Sequence, residues 1–325
     1  MTTYIIGHKK PDTDSVIAAI ALQFLYESRD CFGYKTPQAV ITETINPEAT
    51  FLLNKFGIET PKILTAENIL AEDKVILVDH NEASQRLDGL NQDQIAEIID
   101  HHKVNLNLNE PIFMTFKAWG SSNTIVYFLM KQNDLRPDKT LASLMLAAIL
   151  SDTVGYKSAT TTSKDKEVGA ELAEIAEVGD VEAFTLEIFK AKSDISSLND
   201  EQIVKNDYKI FEFDTASNDN NPGGSTTKTM IDQLETVEQE MVLTIKKAGL
   251  LKAMATVKAE QEVKLLFVAI TDILKVNTKL LILSDAEKEV AQKAFGGVVE
   301  NNILDIGPKM SRKKEIAPAI ETALK

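Results

Sequence analysis

The chain has a single cysteine, Cys31, so no intrachain disulfide can form, which fits a reducing, cytoplasmic setting. Long apolar runs are also missing. A bilayer span needs roughly 18 such residues, and the longest run here, about Leu141 to Leu150, is interrupted by Ser143. A membrane protein is not expected. The opening residues, Met1-Thr2-Thr3-Tyr4-Ile5-Ile6, carry neither a basic segment nor a long apolar one, so nothing supports a secretory signal. Basic residues are in deficit: 35 Lys+Arg against 49 Asp+Glu leave a net charge of -14, which repels a polyanion such as duplex DNA at long range. General nucleic-acid binding is disfavoured. No Gly-x-Gly-x-x-Gly follows a strand, and Gly223-Gly224-Ser225-Thr226-Thr227-Lys228 has the wrong order for a P-loop.

The 325 residues, 44% hydrophobic and 26% charged, are enough for a well-filled core. At roughly 150 residues per domain they predict about two domains. The first half alternates β-branched apolar runs with amphipathic stretches, the pattern of an α/β fold with a parallel sheet and helices on both faces. Strands are expected at Tyr4 to Ile6, Val75 to Val78 and Ile95 to Ile99, the last two central. Helices are expected from Val16 to near Arg29, and at Asn123 to Lys131, Lys139 to Leu150, Lys166 to Ala176 and Val181 to Ala191. The first domain is set at 1–190 and a polar, Ser-rich linker at 191–199. The remainder, 200–325, reads as a smaller mixed α/β domain: a strand at Lys209 to Phe213, a helix at about Val237 to Val257, strands at Lys264 to Ile273 and Lys279 to Leu283, and a C-terminal helix. Between Phe213 and Met230, the segment from Asp214 to Ser225 has turn-forming composition and is expected to be a mobile hairpin tip.

All four histidines sit beside aspartate in short clusters: Gly7-His8-Lys9-Lys10-Pro11-Asp12-Thr13-Asp14, Asp79-His80-Asn81-Glu82 and Asp100-His101-His102-Lys103. Any one of them would pass for a helix cap or a turn. All three, however, follow the carboxyl end of an apolar strand, where open α/β sheets build their sites. Ser151-Asp152-Thr153, ending another apolar stretch, adds a carboxylate. If these loops converge, Asp12, Asp14, Asp79 and Asp152 crowd together, and like charges that close resist joint ionisation. Two divalent cations would offset them. Mixed imidazole and carboxylate ligation favours Mn²⁺, Co²⁺ or Zn²⁺ over Mg²⁺, and paired metals suit in-line phosphoryl displacement.

The order His-x-x-Pro-Asp-x-Asp, Asp-His-Asn-Glu, Asp-His-His and Ser-Asp, with Ser311-Arg312-Lys313-Lys314 near the C-terminus, resembles the DHH phosphoesterase superfamily. Within it, the chain is similar along nearly its whole length to family II, manganese-dependent inorganic pyrophosphatases. The resemblance implies a DHH catalytic domain, a DHHA2-like substrate-binding domain and an active site in the cleft between them. It implies that His8, Asp12 and Asp79 hold one Mn²⁺ while Asp14, Asp79, His101 and Asp152 hold another, with Asp79 as the bridge. Co²⁺ is an alternative metal, and further Mg²⁺ or Mn²⁺ would arrive with pyrophosphate. His102 would assist the leaving phosphate, and Lys209, Arg312 and Lys313 would grip the substrate. A substrate carrying about -3 to -4 needs such donors whatever the family. The nucleophile would be a hydroxide bridging the metals. The resemblance also implies a homodimer. The chain runs from the first motif to Asp79 in only about 65 residues, with no sign of the regulatory nucleotide-binding insert that some members carry.

Lys10 stands where relatives usually have asparagine, which predicts the loss of a hydrogen bond behind the first ligands. An exopolyphosphatase or another DHH phosphoesterase is the alternative enzyme, although His8 argues against the polyphosphate branch. A metal-binding scaffold without activity is the remaining class.

Overall fold

In the computed structural model the chain divides into two units, Met1–Lys192 and Ser193–Lys325. The structure describes residues 1–29, 32–196, 198–215 and 225–325; Cys31 and most of the expected hairpin tip lie outside them.

Unit 1 runs β1 (Thr3–Ile6), α1 (Thr13–Ser28), β2 (Pro37–Ile41), α2 (Pro47–Phe56), β3 (Lys62–Ile63), β4 (Lys74–Val78), β5 (Ile95–Asp100), β6 (Phe113–Phe116), α3 (Ser122–Gln132), α4 (Lys139–Asp152), α5 (Ser163–Ala176) and α6 (Val181–Lys192). Its six strands are all parallel, in the order β3-β2-β1-β4-β5-β6. β1, β4 and β5 are near-continuous apolar runs because both faces of the sheet are covered. The covers differ. Apolar side chains from α1 to α6 pack on one face, and α4 is buried from Leu141 to Ser151. The other face meets Ile69 and Leu87, in loops beside short 3₁₀ turns, and Leu106 and Leu108, in the loop between β5 and β6. The expected helices on both faces are thus α-helices on one face and short turns on the other.

Local chemistry sets the helix ends. The Asp12 side chain accepts from Ser15 N–H and starts α1. Thr162 and Asp165 form a reciprocal capping box, so α5 begins three residues before the expected Lys166. α4 continues two residues past the expected Leu150 and carries Ser151 and Asp152 in its last turn.

Unit 2 contains α7 (Asp200–Val204), β7 (Tyr208–Thr215), β8 (Ser225–Thr236), α8 (Gln239–Met241), α9 (Lys247–Glu260), β9 (Leu265–Asp272), β10 (Asn277–Leu281), α10 (Asp285–Phe295), β11 (Ile303–Asp305) and α11 (Ala317–Leu324). π turns at Val242–Lys246 and Arg312–Ile316 lead into α9 and α11. The mixed sheet has the order β11-β10-β9-β8-β7, with β8 and β9 parallel and the other pairs antiparallel. β8 was not expected from the sequence. Its first half, Ser225-Thr226-Thr227-Lys228-Thr229, is polar enough to pass for a turn, yet Thr227 and Thr229 are buried between β7 and β9. The β-branched threonine backbone preference prevails over its polarity. β2, α2, β3, β6, α10 and β11 were likewise not expected. Among the described residues, no helix is long and apolar enough to cross a membrane.

Asp165 ties α5 to the start of α3. Its buried carboxylate accepts from Gly120 N–H, Thr124 Oγ1, Thr162 N–H and Thr162 Oγ1. Asp165→Ala strands these donors and should lower unit 1 stability by about 3 kcal/mol. Trp119, the single tryptophan and a neighbour of Gly120, reports that transition in a urea titration. A loss below about 1 kcal/mol would contradict this role for Asp165.

Candidate metal centre

β1, β4 and β5 end at one edge of the parallel sheet, and the next residues bring His8, Asp79 and His101 together. After β1 the chain bends hard against α1: a Cβ on Gly7 would lie 2.7 Å from Ser15 Cβ, so this position needs glycine. With one Asp12 oxygen capping α1, the other lies 3.4 Å from His8 Nε2. Asp79 adopts a left-handed backbone (φ 64°) directly after β4. It is 1% exposed, and its two oxygens face different imidazoles. Oδ2 is 3.5 Å from His8 Nε2, and Oδ1 is 3.2 Å from His101 Nε2. Asp152 reaches the same place from the end of a helix rather than a strand, with Oδ2 3.4 Å from His101 Nε2.

Backbone carbonyls set the imidazole tautomers. His8 Nδ1 pairs with Lys9 O at 2.8 Å and His101 Nδ1 with Trp119 O at 2.9 Å. Each Nδ1 therefore carries the proton when the ring is neutral, and each Nε2 lone pair faces the carboxylates. Asp14 is held from the start of α3: Ser121 Oγ (2.5 Å) and Asn123 Nδ2 (2.8 Å) donate to Oδ1, and Ser122 N–H (2.7 Å) donates to Oδ2. Ser122 Oγ donates to Asp79 Oδ1 at 2.8 Å. The Ser121-Ser122-Asn123 turn caps α3 and also fixes two of the carboxylates.

Ligand-type atoms of His8, Asp12 and Asp79 lie within 4.8 Å of one another, as do those of Asp14, His101 and Asp152, and those of Asp79, His101 and His102. Burial and mutual repulsion push Asp14 up to about 7 and Asp152 up to about 9. Burial alone would raise Asp79 too, but His101 and His8 hold it far below the usual carboxylate range. Burial would lower both imidazoles, yet the surrounding carboxylates lift His8 to about 11 and His101 to about 10. His101 Nε2 and Asp152 Oδ2 are buried without a hydrogen-bond partner among the described residues. Imidazole nitrogens and carboxylate oxygens converging in this way fit Mn²⁺-type ions well.

The other histidines differ. His80 is buried, its Nδ1 bonds Val78 O at 3.0 Å, and burial lowers its pKa to about 4, so it is a neutral packing residue beside His8. His102 is half exposed. Asp100 Oδ1 sits 2.9 Å from its Nδ1 and raises its pKa. Asp100 also accepts from the N–H groups of His101 and His102 and, through Oδ2, from Asn81 Nδ2. The sequence contained Asp100 in its cluster, but only the structure shows this holding role. Lys10 has φ 57° and donates its N–H to Glu43; asparagine adopts that left-handed conformation more readily than lysine.

The three cations expected to grip substrate lie in unit 2. Lys209 is exposed on β7, opposite Ile231 of β8. Arg312 opens a π turn, a geometry common at functional sites. It is 8% exposed, its Nη2 donates to Asp207 Oδ1 at 3.0 Å, and its N–H donates to Gln233 Oε1 of β8. Lys313 is exposed beside it.

The arrangement defines a two-domain phosphoesterase of the DHH class: the DHH family, N-terminal domain, matches residues 2–149 and the DHHA2 domain matches 186–323. A manganese-dependent inorganic pyrophosphatase of Methanocaldococcus jannaschii is 37% identical over 330 residues, covering 98% of each chain. One from Methanothrix thermoacetophila is 36% identical and covers 99% of this chain and 98% of its own. A Methanococcus jannaschii crystal structure described as a family II inorganic pyrophosphatase aligns over 99% of both chains, with TM-score 0.62 and 35% identity. The chain belongs to the manganese-dependent, family II inorganic pyrophosphatases.

The raised pKa values of His8, His101, Asp152 and Asp14 mean that the metal-free cluster holds protons near pH 7. A cation requires these groups unprotonated, so affinity should weaken as pH falls and uptake should release protons. Calorimetry of Mn²⁺ binding at pH 7 in buffers of different ionisation enthalpy should show more than one proton released per chain. Heats that do not depend on the buffer would contradict this.

Proposed function

We propose that this chain hydrolyses inorganic pyrophosphate to two phosphates at a dinuclear centre formed by His8, Asp12, Asp14, Asp79, His101 and Asp152. The observation that carries the reading is Asp79, buried, with one oxygen toward each imidazole, as a bridging ligand requires. The names of the relatives point to pyrophosphate and manganese. When bound there, a cation pair would supply Lewis acidity to water and to the phosphoryl oxygens of the substrate.

The chain's own residues do the rest. Lys9 O and Trp119 O keep the two Nε2 lone pairs aimed at the centre. Ser121, Ser122 and Asn123 prevent Asp14 and Asp79 from swinging away from each other. Asp100 stabilises the protonated form of His102, which makes its Nε2–H a proton source for the departing phosphate. Lys209, Arg312 and Lys313 are the substrate donors of the second domain, where charge-assisted bonds to phosphate oxygens favour arginine and lysine.

The test is phosphate release from pyrophosphate, long polyphosphate, p-nitrophenyl phosphate and a cyclic dinucleotide after reloading stripped protein with Mn²⁺, Co²⁺ or Mg²⁺. Pyrophosphate should be the preferred substrate with Mn²⁺ or Co²⁺; preference for polyphosphate would move the assignment to the exopolyphosphatases. Arg312→Ala should lower kcat/KM about 100-fold with metal content unchanged, whereas Asp79→Ala should lose the metals as well. Full turnover in both variants would refute these roles.

A further inference from the structure

The four carboxylates of the centre are not equally well held. Asp12 caps α1, Asp14 accepts from three residues at the start of α3, and Asp79 accepts from Ser122. Asp152 stands on the last residue of α4, where intrahelical bonding runs out, and its buried Oδ2 makes no hydrogen bond among the described residues, with His101 Nε2 facing it at 3.4 Å. Backbone bonds from Thr153 and Gly155 close this helix end, and the neighbouring Ser151 ties it to α2: Ser151 Oγ donates to Glu48 Oε1 at 2.5 Å.

Glu48 lies in the first turn of α2, after the Asn46 cap and Pro47, and is 1% exposed. A negative group is favoured at this end of a helix. Yet Glu48 Oε2 is buried with no hydrogen-bond partner among the described residues. A pin between α2 and α4 would be better served by a neutral amide, because a buried carboxylate with one oxygen unpaired is destabilising. Nearby cations would offset that cost, and Ser151 shares a peptide bond with Asp152.

We propose that Glu48 is a positioning residue for the Asp152 end of the metal centre, acting through Ser151. This rests on the dinuclear reading above. Glu48 fixes the final turn of α4 so that the Asp152 carboxylate faces His101, and it adds negative charge behind the ion that Asp14, His101 and Asp152 would hold. The His8 and Asp12 side of the centre, fastened by α1, does not depend on it.

The experiment is Mn²⁺ titration of metal-free protein, followed by the electron paramagnetic resonance of free Mn²⁺, with thermal melting of the same metal-free samples. Glu48→Gln keeps the shape and removes the charge; Ser151→Ala removes the link; Ser151→Thr restores the hydroxyl. In Glu48→Gln and Ser151→Ala, one of two binding classes should weaken about 10- to 100-fold and the other change no more than about twofold. Ser151→Thr should regain both classes, and the metal-free melting temperature should stay within a few degrees of wild type throughout. Unchanged binding in Glu48→Gln and Ser151→Ala would overturn the proposal, as would equal weakening of both classes together with a lower melting temperature, the mark of a merely structural pin. Asp152→Asn separates the two levels: if it leaves both classes intact, the dinuclear reading itself fails.

Discussion

Four carboxylates and two imidazoles gathered at one edge of a sheet would not stay together unaided, since like charges that close oppose each other's ionisation. Much of unit 1 can be read as the means of holding them. The parallel sheet aligns the carboxyl ends of β1, β4 and β5, so His8, Asp79 and His101 emerge side by side. The start of α3 supplies donors to Asp14 and Asp79, and Asp165 anchors the Gly120 amide just before it. The protein orders this charge cluster in advance, so a cation that enters replaces protons rather than reorganising loops.

The sheet and the clustering of His and Asp side chains at its strand ends were largely legible in the sequence, for physical reasons. Strands buried on both faces are continuous apolar runs, so Ile5-Ile6, Val75 to Val78 and Ile95 to Ile99 stand out without knowledge of their partners. Polar side chains that converge at strand ends leave a sharp change from apolar residues to His and Asp. What was not legible depends on contacts between distant segments. Asp100 resembles any other acid in its cluster until His102 and Asn81 are seen to bond to it. The Ser121-Ser122-Asn123 turn reads as a cap because it is one, and its second role needs Asp14, 107 positions away from Ser121. Glu48 and Ser151, 103 positions apart, show no pattern at all.

The second sheet hid one of its interior strands for a different reason. β8 begins in threonine and lysine, and only its pairing with β7 and β9 buries Thr227 and Thr229. Gln233 on that strand accepts from the backbone N–H of Arg312. The basic run near the C-terminus is therefore no loose surface turn. Ser311 caps the π turn and Glu315 accepts from the N–H groups of Met310 and Ser311. Arg312 is thereby nearly buried, while Lys313 beside it remains exposed. Unit 1 thus carries the anionic residues that would gather cations, and unit 2 carries a structurally fixed arginine suited to phosphate.

Anomalous X-ray diffraction from Mn²⁺-loaded crystals, collected on either side of the manganese absorption edge, tests the central claim most directly. The account predicts two peaks per chain with Asp79 touching both, one also against His8 and Asp12 and the other against Asp14, His101 and Asp152. A single peak, or manganese held without Asp79, would contradict it.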